Sequence, residues 1–147
     1  MTDEDAASSC SSEELSTSVA PCSPEDAYIA HLRPMQFEAA ALTGNTVSGG
    51  DCCHYFRNML SKTENGDCRD KQRSQRLAKE VIYLQEGLPL ALQSSIFVRV
   101  DESRLDVFKA LLIGPEDTPY ADGCFLFDIY CPPDYPQRAP QVIAPLL

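Results

Sequence analysis

The stretch GPEDTPYADGCFLFDIYCPPDYPQRAPQV, residues 114–142, decides the fold of this chain. It opens with a loop bracketed by Gly114 and Gly123 and continues into a strand-like run, CFLFDIYC, with alternating apolar side chains. The prolines that follow lack a backbone N–H and fix φ, so they cannot lie inside a helix or a central strand. The stretch therefore predicts two strands joined by a proline-shaped loop, with the short run QVIA as the second strand.

Upstream of this stretch, two further strand-like runs are preceded by one helix. The runs are SSIFVRV, which ends at Val100, and LDVFKALLI, residues 105–113. In KQRSQRLAKEVIYLQEGLP, apolar residues recur at steps of four, three and four, which predicts an amphipathic helix over residues 74–87. Gly87 suits the end of this helix and Pro89 stops it. The apolar residues are Leu77, Val81, Leu84 and Leu88.

One helix followed by four strands with short connections predicts an α+β fold with a four-stranded antiparallel meander over residues 95–144. Both faces of the meander are apolar, Asp106 is expected at the wet end of its strand, and only one helix is predicted to cover the sheet. We therefore expect the isolated chain to be partly folded or self-associating. In the second strand, alternation places Leu105, Val107, Leu111 and Ile113 on one face and Phe108, Ala110 and Leu112 on the other.

The first half of the chain differs in composition from the second. Residues 1–70 carry twelve acidic and four basic side chains, whereas residues 71–147 carry ten and eight. A Ser-, Asp- and Glu-rich segment buries too little apolar surface to offset the entropy lost on ordering, so residues 1–27 are predicted to be disordered. Residues 35–43 are predicted to form at most a short helix. The chain thus divides into a mostly disordered region, residues 1–70, and a folded domain, residues 71–147.

Charge and hydropathy exclude several classes of protein. The acidic start MTDEDAASSC lacks the apolar core of a secretory signal, and no run approaches the roughly 18 apolar residues of a membrane span. Without an export signal, the seven cysteines are expected to be reduced thiols in the cytosol or nucleus. The acidic first half argues against nucleic-acid binding through phosphate contacts, which require clustered basic side chains.

The motif CCHYF, residues 52–56, is the candidate metal or thiol site of the first half. Cys52, Cys53, His54 and Cys68 are ligand types for zinc, but adjacent cysteines chelate poorly and the C-x₂₋₄-C spacing of structural zinc sites is absent. A reactive Cys53 would need a base such as His54. The interpretation that we favour is free thiols beside an aromatic patch, with no metal and no cofactor.

The ordered pattern helix, strand, strand, GPxDTPYxxGxFxFDIxxPxDYPxxxPxV resembles the ubiquitin-conjugating (E2) family. Residues 71–147 look like the first half of the E2 core domain, and the resemblance does not reach residues 1–70. The resemblance rests on two sequence motifs, GPEDTPYADGCFLFDIY and PPDYPQRAPQV. Within the family, residues 87–120 resemble the E2 domain of the giant BIR-containing hybrid E2/E3 ligases, the BRUCE or Apollon type, with the large stand-alone hybrid E2/E3 enzymes next.

The resemblance implies a carrier of ubiquitin. In this family a cysteine accepts ubiquitin from an E1 as a thioester and passes it on, with or without a RING-type E3. That cysteine follows a His-Pro-Asn motif beyond the fourth strand, and this sequence contains neither the motif nor residues where the cysteine would fall. We therefore expect a fragment truncated before the catalytic cysteine, inactive alone and with no catalytic residue. Cys124 and Cys131 are expected to be core or strand-end thiols.

The resemblance also implies two partner-facing surfaces. Arg76 and Lys79 match the basic face of the first helix that meets the E1, although the helical pattern alone favours a solvated face for Lys71, Arg73, Arg76 and Lys79. The proline loop matches the loop that faces the E3. Many E2s place a phenylalanine where this chain has Gln137, and because that ring fills a pocket on the E3, ordinary RING binding is disfavoured. The loop candidates are Tyr135, Pro136, Gln137, Arg138 and Pro140.

Two hypotheses about function remain open. The first is a fragment of a hybrid E2/E3. The second is a non-catalytic module, because E2 variants without the cysteine bind ubiquitin or a partner E2. Such variants keep the helices after the fourth strand, which favours the fragment. A zinc-binding adaptor built on Cys52, Cys53, His54 and Cys68 ranks behind both.

Overall fold

The computed structural model describes residues 23–43, 54–60 and 71–144, and over these residues it has an α+β fold, as predicted. The five longer strands form a sheet in the order β1-β3-β4-β5-β6, and β2 pairs with β3. The helices are α1 (Pro24–Leu32), α2 (Arg57–Leu60) and α3 (Lys71–Gly87), with a 3₁₀ turn at Arg33–Met35; the strands are β1 (Phe37–Ala40), β2 (Leu90–Ala91), β3 (Ser94–Asp101), β4 (Val107–Ile113), β5 (Cys124–Tyr130) and β6 (Gln141–Ile143).

The predicted antiparallel meander is present but forms only part of the sheet. β3 pairs with β4, β4 with β5 and β5 with β6, each antiparallel. On the edge of β3 away from β4, the short β2 pairs antiparallel with the start of β3 and β1 pairs parallel with the rest of it. The sheet is therefore mixed, and the first half of the chain contributes one of its edges.

Helix α3 covers one face of the sheet, as its apolar spacing predicts. Leu77 is only 3% exposed at the centre of this contact. Val81, Leu84 and Leu88 pack around the same cluster from the helix side. The buried sheet residues beneath are Val98, Val100, Phe108 and Ala110.

The opposite face is covered by the first half of the chain, which corrects two predictions. Leu42, Phe56 and Leu60 pack on Val107 and Tyr130 in a second buried cluster. The expectation that one helix is the only cover of the sheet is therefore wrong. The helix predicted for residues 35–43 is also wrong, because residues 37–40 form β1 and the helix lies earlier, at α1.

The predicted disorder does not hold for the part of the first half that the structure describes. Residues 24–40 and 57–60 form helices and a strand. Residues 1–22, 44–53 and 61–70 lie outside the described residues, so most of the disorder prediction stays untested, as does the domain boundary at residue 71.

Asp101, at the end of β3, ties residues 42 and 43 to the sheet. Its Oδ2 accepts hydrogen bonds from the backbone N–H of Leu42 and Thr43 at 2.9 Å each and from Thr43 Oγ1 at 3.0 Å. Burial acts to raise the pKa of Asp101, but hydrogen bonds from Ser103 and Thr43 outweigh it, so the pKa lies below its usual value. The ionised carboxylate thus holds the first half of the chain against the second.

Gln36 makes a second tie between the two halves. Its side-chain amide donates to three backbone carbonyl oxygens beyond the end of α3 and on β3, at 2.8–3.2 Å, and the residue is 4% exposed. Because a buried amide left without partners is costly, this arrangement specifies where β1 enters the sheet. The three carbonyls belong to Leu88, Pro89 and Ile96.

The loop between β4 and β5 closes on a position that requires glycine. The Gly114 N–H donates to the Gly123 carbonyl at 2.8 Å, which joins the two ends of the loop. A β-carbon on Gly114 would lie 1.8 Å from the carbonyl oxygen of Tyr120. Only glycine permits that approach, which explains the glycine at the start of the loop.

Within the described ranges, the longest helix is α3, and no helix has the length and apolar content that crossing a membrane requires.

Candidate functional site

The proline loop, residues 132–140, keeps its shape through short backbone turns between β5 and β6. The Tyr135 N–H donates to the Pro132 carbonyl at 3.0 Å, and the Arg138 N–H donates to the Asp134 carbonyl at 3.2 Å. Tyr135 is half-buried. The remaining loop candidates are all exposed, so their side chains are available to a partner: Pro136, Gln137, Arg138 and Pro140.

Arg73 anchors the start of this loop to α3. Its Nε donates to the Pro132 carbonyl at 3.1 Å, and its Nη2 donates to the Cys131 carbonyl at 2.8 Å and to Asp106 Oδ2 at 2.9 Å. Arg73 is 6% exposed and Asp106 is 2% exposed. Both were predicted to face solvent, and both predictions are wrong. The guanidinium is buried because it satisfies a carboxylate and two carbonyls at once.

Asp106 is held by a second arginine on its other side. Arg104 donates from Nε and Nη2 to the two carboxylate oxygens at 3.0 Å each. Burial acts to raise the pKa of Asp106, but the hydrogen bonds from Arg104 and Arg73, with the attraction of their charges, bring it below its usual value. The ionised Asp106 therefore links the start of β4 to α3 and, through Arg73, to the proline loop.

Tyr135 links the loop to the exposed side of α3. Its hydroxyl donates to Glu80 Oε1 at 3.0 Å, and Arg76 Nη2 lies 2.6 Å from the same oxygen. Hydrogen bonding to Tyr135 raises the pKa of Arg76, and the charge of Glu80 adds to this effect. Burial raises the pKa of Tyr135. Arg76, Glu80 and Tyr135 therefore form one polar group at the junction of helix and loop.

The structure thus brings together residues that the sequence assigned to two separate surfaces. Arg76 of the helix candidates and Tyr135 of the loop candidates share Glu80 as their partner. Lys79 is exposed on the same helix. Sequence reasoning missed Glu80 and Arg73. Arg73 carried a signal, because it lies four residues before Leu77 and so falls on the packed side of α3.

The two described cysteines differ in exposure. Cys124 is exposed at the start of β5, whereas Cys131 is buried just after that strand ends. Burial raises the pKa of Cys131 to about 11, and the nearby charge of Asp106 acts in the same direction. A thiol is a nucleophile only as the thiolate, so Cys131 is unsuited to attack a thioester at neutral pH.

Alkylation should separate these two thiols. At pH 7, iodoacetamide is expected to modify Cys124 at least about tenfold faster than Cys131, because burial shields Cys131 from the reagent and lowers its thiolate fraction. Pulse labelling followed by peptide mass spectrometry measures each site separately from the other five cysteines. Equal rates would show that the end of β5 opens readily and that Cys131 is not a core thiol.

His54 of the CCHYF motif has a structural role in the described residues. Its Nε2 lies 3.0 Å from the Phe108 carbonyl and 4.0 Å from Asp128 Oδ1, and the ring is buried. Asp128 also accepts the Tyr55 N–H at 2.7 Å and lies 2.6 Å from the Lys109 ammonium. Across the described ranges, no three His, Cys, Asp or Glu side chains are grouped to hold a metal ion. Cys52, Cys53 and Cys68 lie outside the described residues.

Comparison with known proteins identifies relatives of this fold. Residues 76–144 match the ubiquitin-conjugating enzyme family. The chain is 41% identical over 119 residues to the human dual E2 ubiquitin-conjugating enzyme/E3 ubiquitin-protein ligase BIRC6. This alignment covers 80% of the chain and 2% of BIRC6. The chain is 36% identical over 122 residues to the probable ubiquitin-conjugating enzyme protein 17 of Caenorhabditis elegans, which covers 82% of this chain and 16% of that protein. The chain therefore spans only a small part of these relatives.

The similarity extends beyond the part of the chain on which the resemblance rested. The BIRC6 alignment covers 80% of the chain, whereas residues 71–147 make up about half of it, so the alignment must enter the first seventy residues. The expectation that the resemblance stops at residue 71 is therefore wrong, which agrees with the contribution of β1 and α2 to the fold. Three findings agree: the sequence pattern of residues 114–142, the antiparallel meander that packs against α3, and the family match over residues 76–144. This chain therefore belongs to the ubiquitin-conjugating enzyme family.

Proposed function

We propose that this chain serves ubiquitin transfer as the partner-docking part of an E2 domain of the hybrid E2/E3 type. The exposed side of α3 offers Arg76 and Lys79 to an E1, and the proline loop offers its exposed residues to an E3. The parent of such a domain carries ubiquitin as a cysteine thioester. We place this activity in the cytosol or nucleus, because free thiols persist there.

The observation that carries this proposal is the continuity of the two surfaces. Tyr135 and Arg76 meet on Glu80, and Arg73 fixes the base of the loop to the same helix. A loop held by buried charge-assisted hydrogen bonds loses little entropy when a partner binds it. The arrangement therefore favours a preformed docking surface over a loop that must order on binding.

The loop residue Gln137 limits the kind of E3 that we include. Its side chain is exposed at the position where many E2s carry a phenylalanine. A polar amide cannot replace the apolar area of an aromatic ring in a pocket. We therefore propose that the loop serves an E3 surface other than the ordinary RING pocket, or E3 activity within the parent hybrid protein.

We propose that the 147-residue polypeptide forms no ubiquitin thioester, because neither cysteine within the described residues suits that role. The sequence has no His-Pro-Asn motif. Cys131 is buried with a raised pKa, and Cys124 lies at the start of a strand with no histidine in the adjoining sequence. A thioester carrier needs a cysteine beside a group that stabilises the oxyanion. The polypeptide by itself is therefore proposed to bind partners without being charged.

A charging assay with an added competitor tests both parts of this proposal. With E1, ubiquitin and ATP, the chain alone should form no DTT-sensitive ubiquitin adduct. Added in excess to a reaction with an active E2, it should slow thioester formation on that E2, because both occupy the same site on the E1. Non-reducing gels measure both results. Arg76→Glu combined with Lys79→Glu should relieve the inhibition several-fold, because two attractive contacts become repulsive.

The matched control is Arg33→Glu, which reverses one exposed charge on the 3₁₀ turn and not on α3. It should inhibit as the wild type does. A DTT-sensitive band that disappears in Cys124→Ser or Cys53→Ser would contradict the proposed inactivity and move the site to that residue. Inhibition unchanged by the double reversal on α3 would contradict the assignment of the E1-facing surface.

A non-catalytic binding module is the second candidate function. This alternative is favoured because side chains pack on both faces of the sheet and form two buried clusters within the described residues. Under this alternative, the chain is a monomer with a sharp thermal transition and binds ubiquitin or a partner E2 in the absence of E1. Calorimetry with a titration of ubiquitin distinguishes it from the first proposal.

A further inference from the structure

Helix α3 carries two large apolar side chains on its solvent side. Tyr83 is 67% exposed and Ile82 is 52% exposed, whereas the apolar residues at the predicted core positions of α3 pack on the sheet. Arg76, Lys79 and Tyr83 are spaced by three and four residues, so they follow one line along the helix, with Ile82 beside it. The exposed side of α3 is therefore a stripe with basic and apolar parts.

Neither folding nor helix propensity accounts for the two apolar residues. Ile82 and Tyr83 are not among the residues that form either buried cluster. At exposed helix positions, Ile and Tyr are also poorer helix formers than Lys, Glu or Gln. Exposed aromatic residues beside basic residues are instead typical of binding surfaces, where Tyr and Arg are enriched among the residues that dominate affinity.

On the basis of the proposed function, we propose that Tyr83, flanked by Ile82, is the main apolar anchor by which α3 binds the E1. The partner surface has an apolar recess for these side chains and carboxylates at the end that meets Arg76 and Lys79. This extends the E1-facing surface by one turn beyond the two basic residues that the family resemblance supplies.

Charge complementarity supports an acidic partner and fixes its orientation. The chain as a whole has a net charge of −10, so an acidic partner is repelled by most of its surface. The first half of α3 is an exception, because Lys79 is exposed and Arg76, although paired with Glu80, is exposed as well. Glu86 lies three residues beyond Tyr83 and is exposed. The carboxylates of the partner must therefore lie toward Arg76 and not toward Glu86.

The competition assay against an active E2 tests this inference with full-length variants. Tyr83→Ala should raise the concentration for half-maximal inhibition by about tenfold or more, as expected for an anchor residue, and Ile82→Ser should raise it by a smaller factor. Tyr83→Phe should inhibit nearly as the wild type does, because the ring is retained. The matched control is Tyr55→Ala, which removes a tyrosine of similar exposure, 61%, from outside α3.

The outcomes separate this inference from the function on which it rests. If reversal of Arg76 and Lys79 relieves inhibition but Tyr83→Ala does not, the apolar anchor is overturned and the E1-facing surface stands. If the wild-type chain does not inhibit at all, both are overturned. Far-ultraviolet circular dichroism of each variant should show unchanged helix content, because the substituted side chains are exposed. If Tyr83→Ala lowers the helix content, Tyr83→Gln is tested in its place, because glutamine is a good helix former that adds no charge, and this variant must still lose inhibition.

Discussion

Phe56→Ala is expected to lower the free energy of unfolding by about 3–5 kcal/mol, the usual cost of removing a buried phenylalanine. Phe56 is 6% exposed and packs against Tyr130 with ring centroids 5.7 Å apart. It belongs to the cluster that covers the second face of the sheet, together with Leu42, Leu60 and Val107. Urea unfolding of the 147-residue chain, followed by circular dichroism, measures this change.

Tyr55→Ala is the matched control for this substitution. Tyr55 is adjacent in sequence but 61% exposed, and its link to Asp128 uses the backbone N–H, which alanine keeps. The expected change is below about 1 kcal/mol, as for most surface substitutions. If Phe56→Ala were as mild as Tyr55→Ala, residues 54–60 would not be part of the folded unit, and a domain that begins at residue 71 would be the better description.

The same reasoning explains why the second half of the fold could be predicted from sequence. In α3 and β3–β6, local periodicity and tertiary burial agree. The step of three or four residues at Leu77, Val81 and Leu84 matches the face that packs on the sheet. In β4, strict alternation places Val107 in one cluster and Phe108 in the other. When the local pattern of a segment favours the same structure that the whole fold imposes on it, that structure can be predicted from the segment alone.

The first half of the fold lacked such agreement. The strand β1 has the sequence FEAA, in which alanine and glutamate favour helix, and it becomes a strand through its parallel pairing with β3. A polar segment separates the buried residue Leu42 from Phe56, and Phe56 and Leu60 form a single helical step of four residues, which is too short to establish a period. Their burial depends on contacts with β4 and β5 some fifty or more residues later, which composition averaged over seventy residues does not reveal.

The exposed residues of the candidate site could be predicted from the sequence, but the residues that hold the helix and the loop together could not. Arg76, Lys79 and the exposed loop residues follow from the family pattern, and the structure leaves them accessible. Glu80 and Arg73 hold the helix and loop together through side chains that the pattern treats as polar surface. Arg73 shows the difficulty best, because a basic residue in a basic cluster is usually solvated, and its burial depends on Asp106, thirty-three residues later.

Arg73→Ala is expected to lower the free energy of unfolding at pH 7 by about 3–5 kcal/mol, the range found when one partner of a buried ion pair is removed. The substitution leaves Asp106 with Arg104 alone and leaves the carbonyls of Pro132 and Cys131 without their donor. Arg76→Ala, one turn further along α3, is the matched control and should change stability little, because its ion pair with Glu80 is exposed to solvent. Urea unfolding of both variants measures the contrast.

The effect of Arg73→Ala should also depend on pH. The pKa of Asp106 in the folded protein is below its usual value, so the ionised carboxylate contributes stability that is fully present above the unfolded pKa of about 3.9 and is lost as the pH falls through the folded pKa. The difference in the free energy of unfolding between wild type and Arg73→Ala should therefore be constant from pH 5 to pH 7. It should narrow at lower pH, because Asp106 becomes protonated in the variant before it does in the wild type. A difference that stays constant down to pH 2 would show that Arg73 stabilises the fold only through its two carbonyl hydrogen bonds. A difference no larger than that of Arg76→Ala at pH 7 would contradict the anchoring of the proline loop by Arg73.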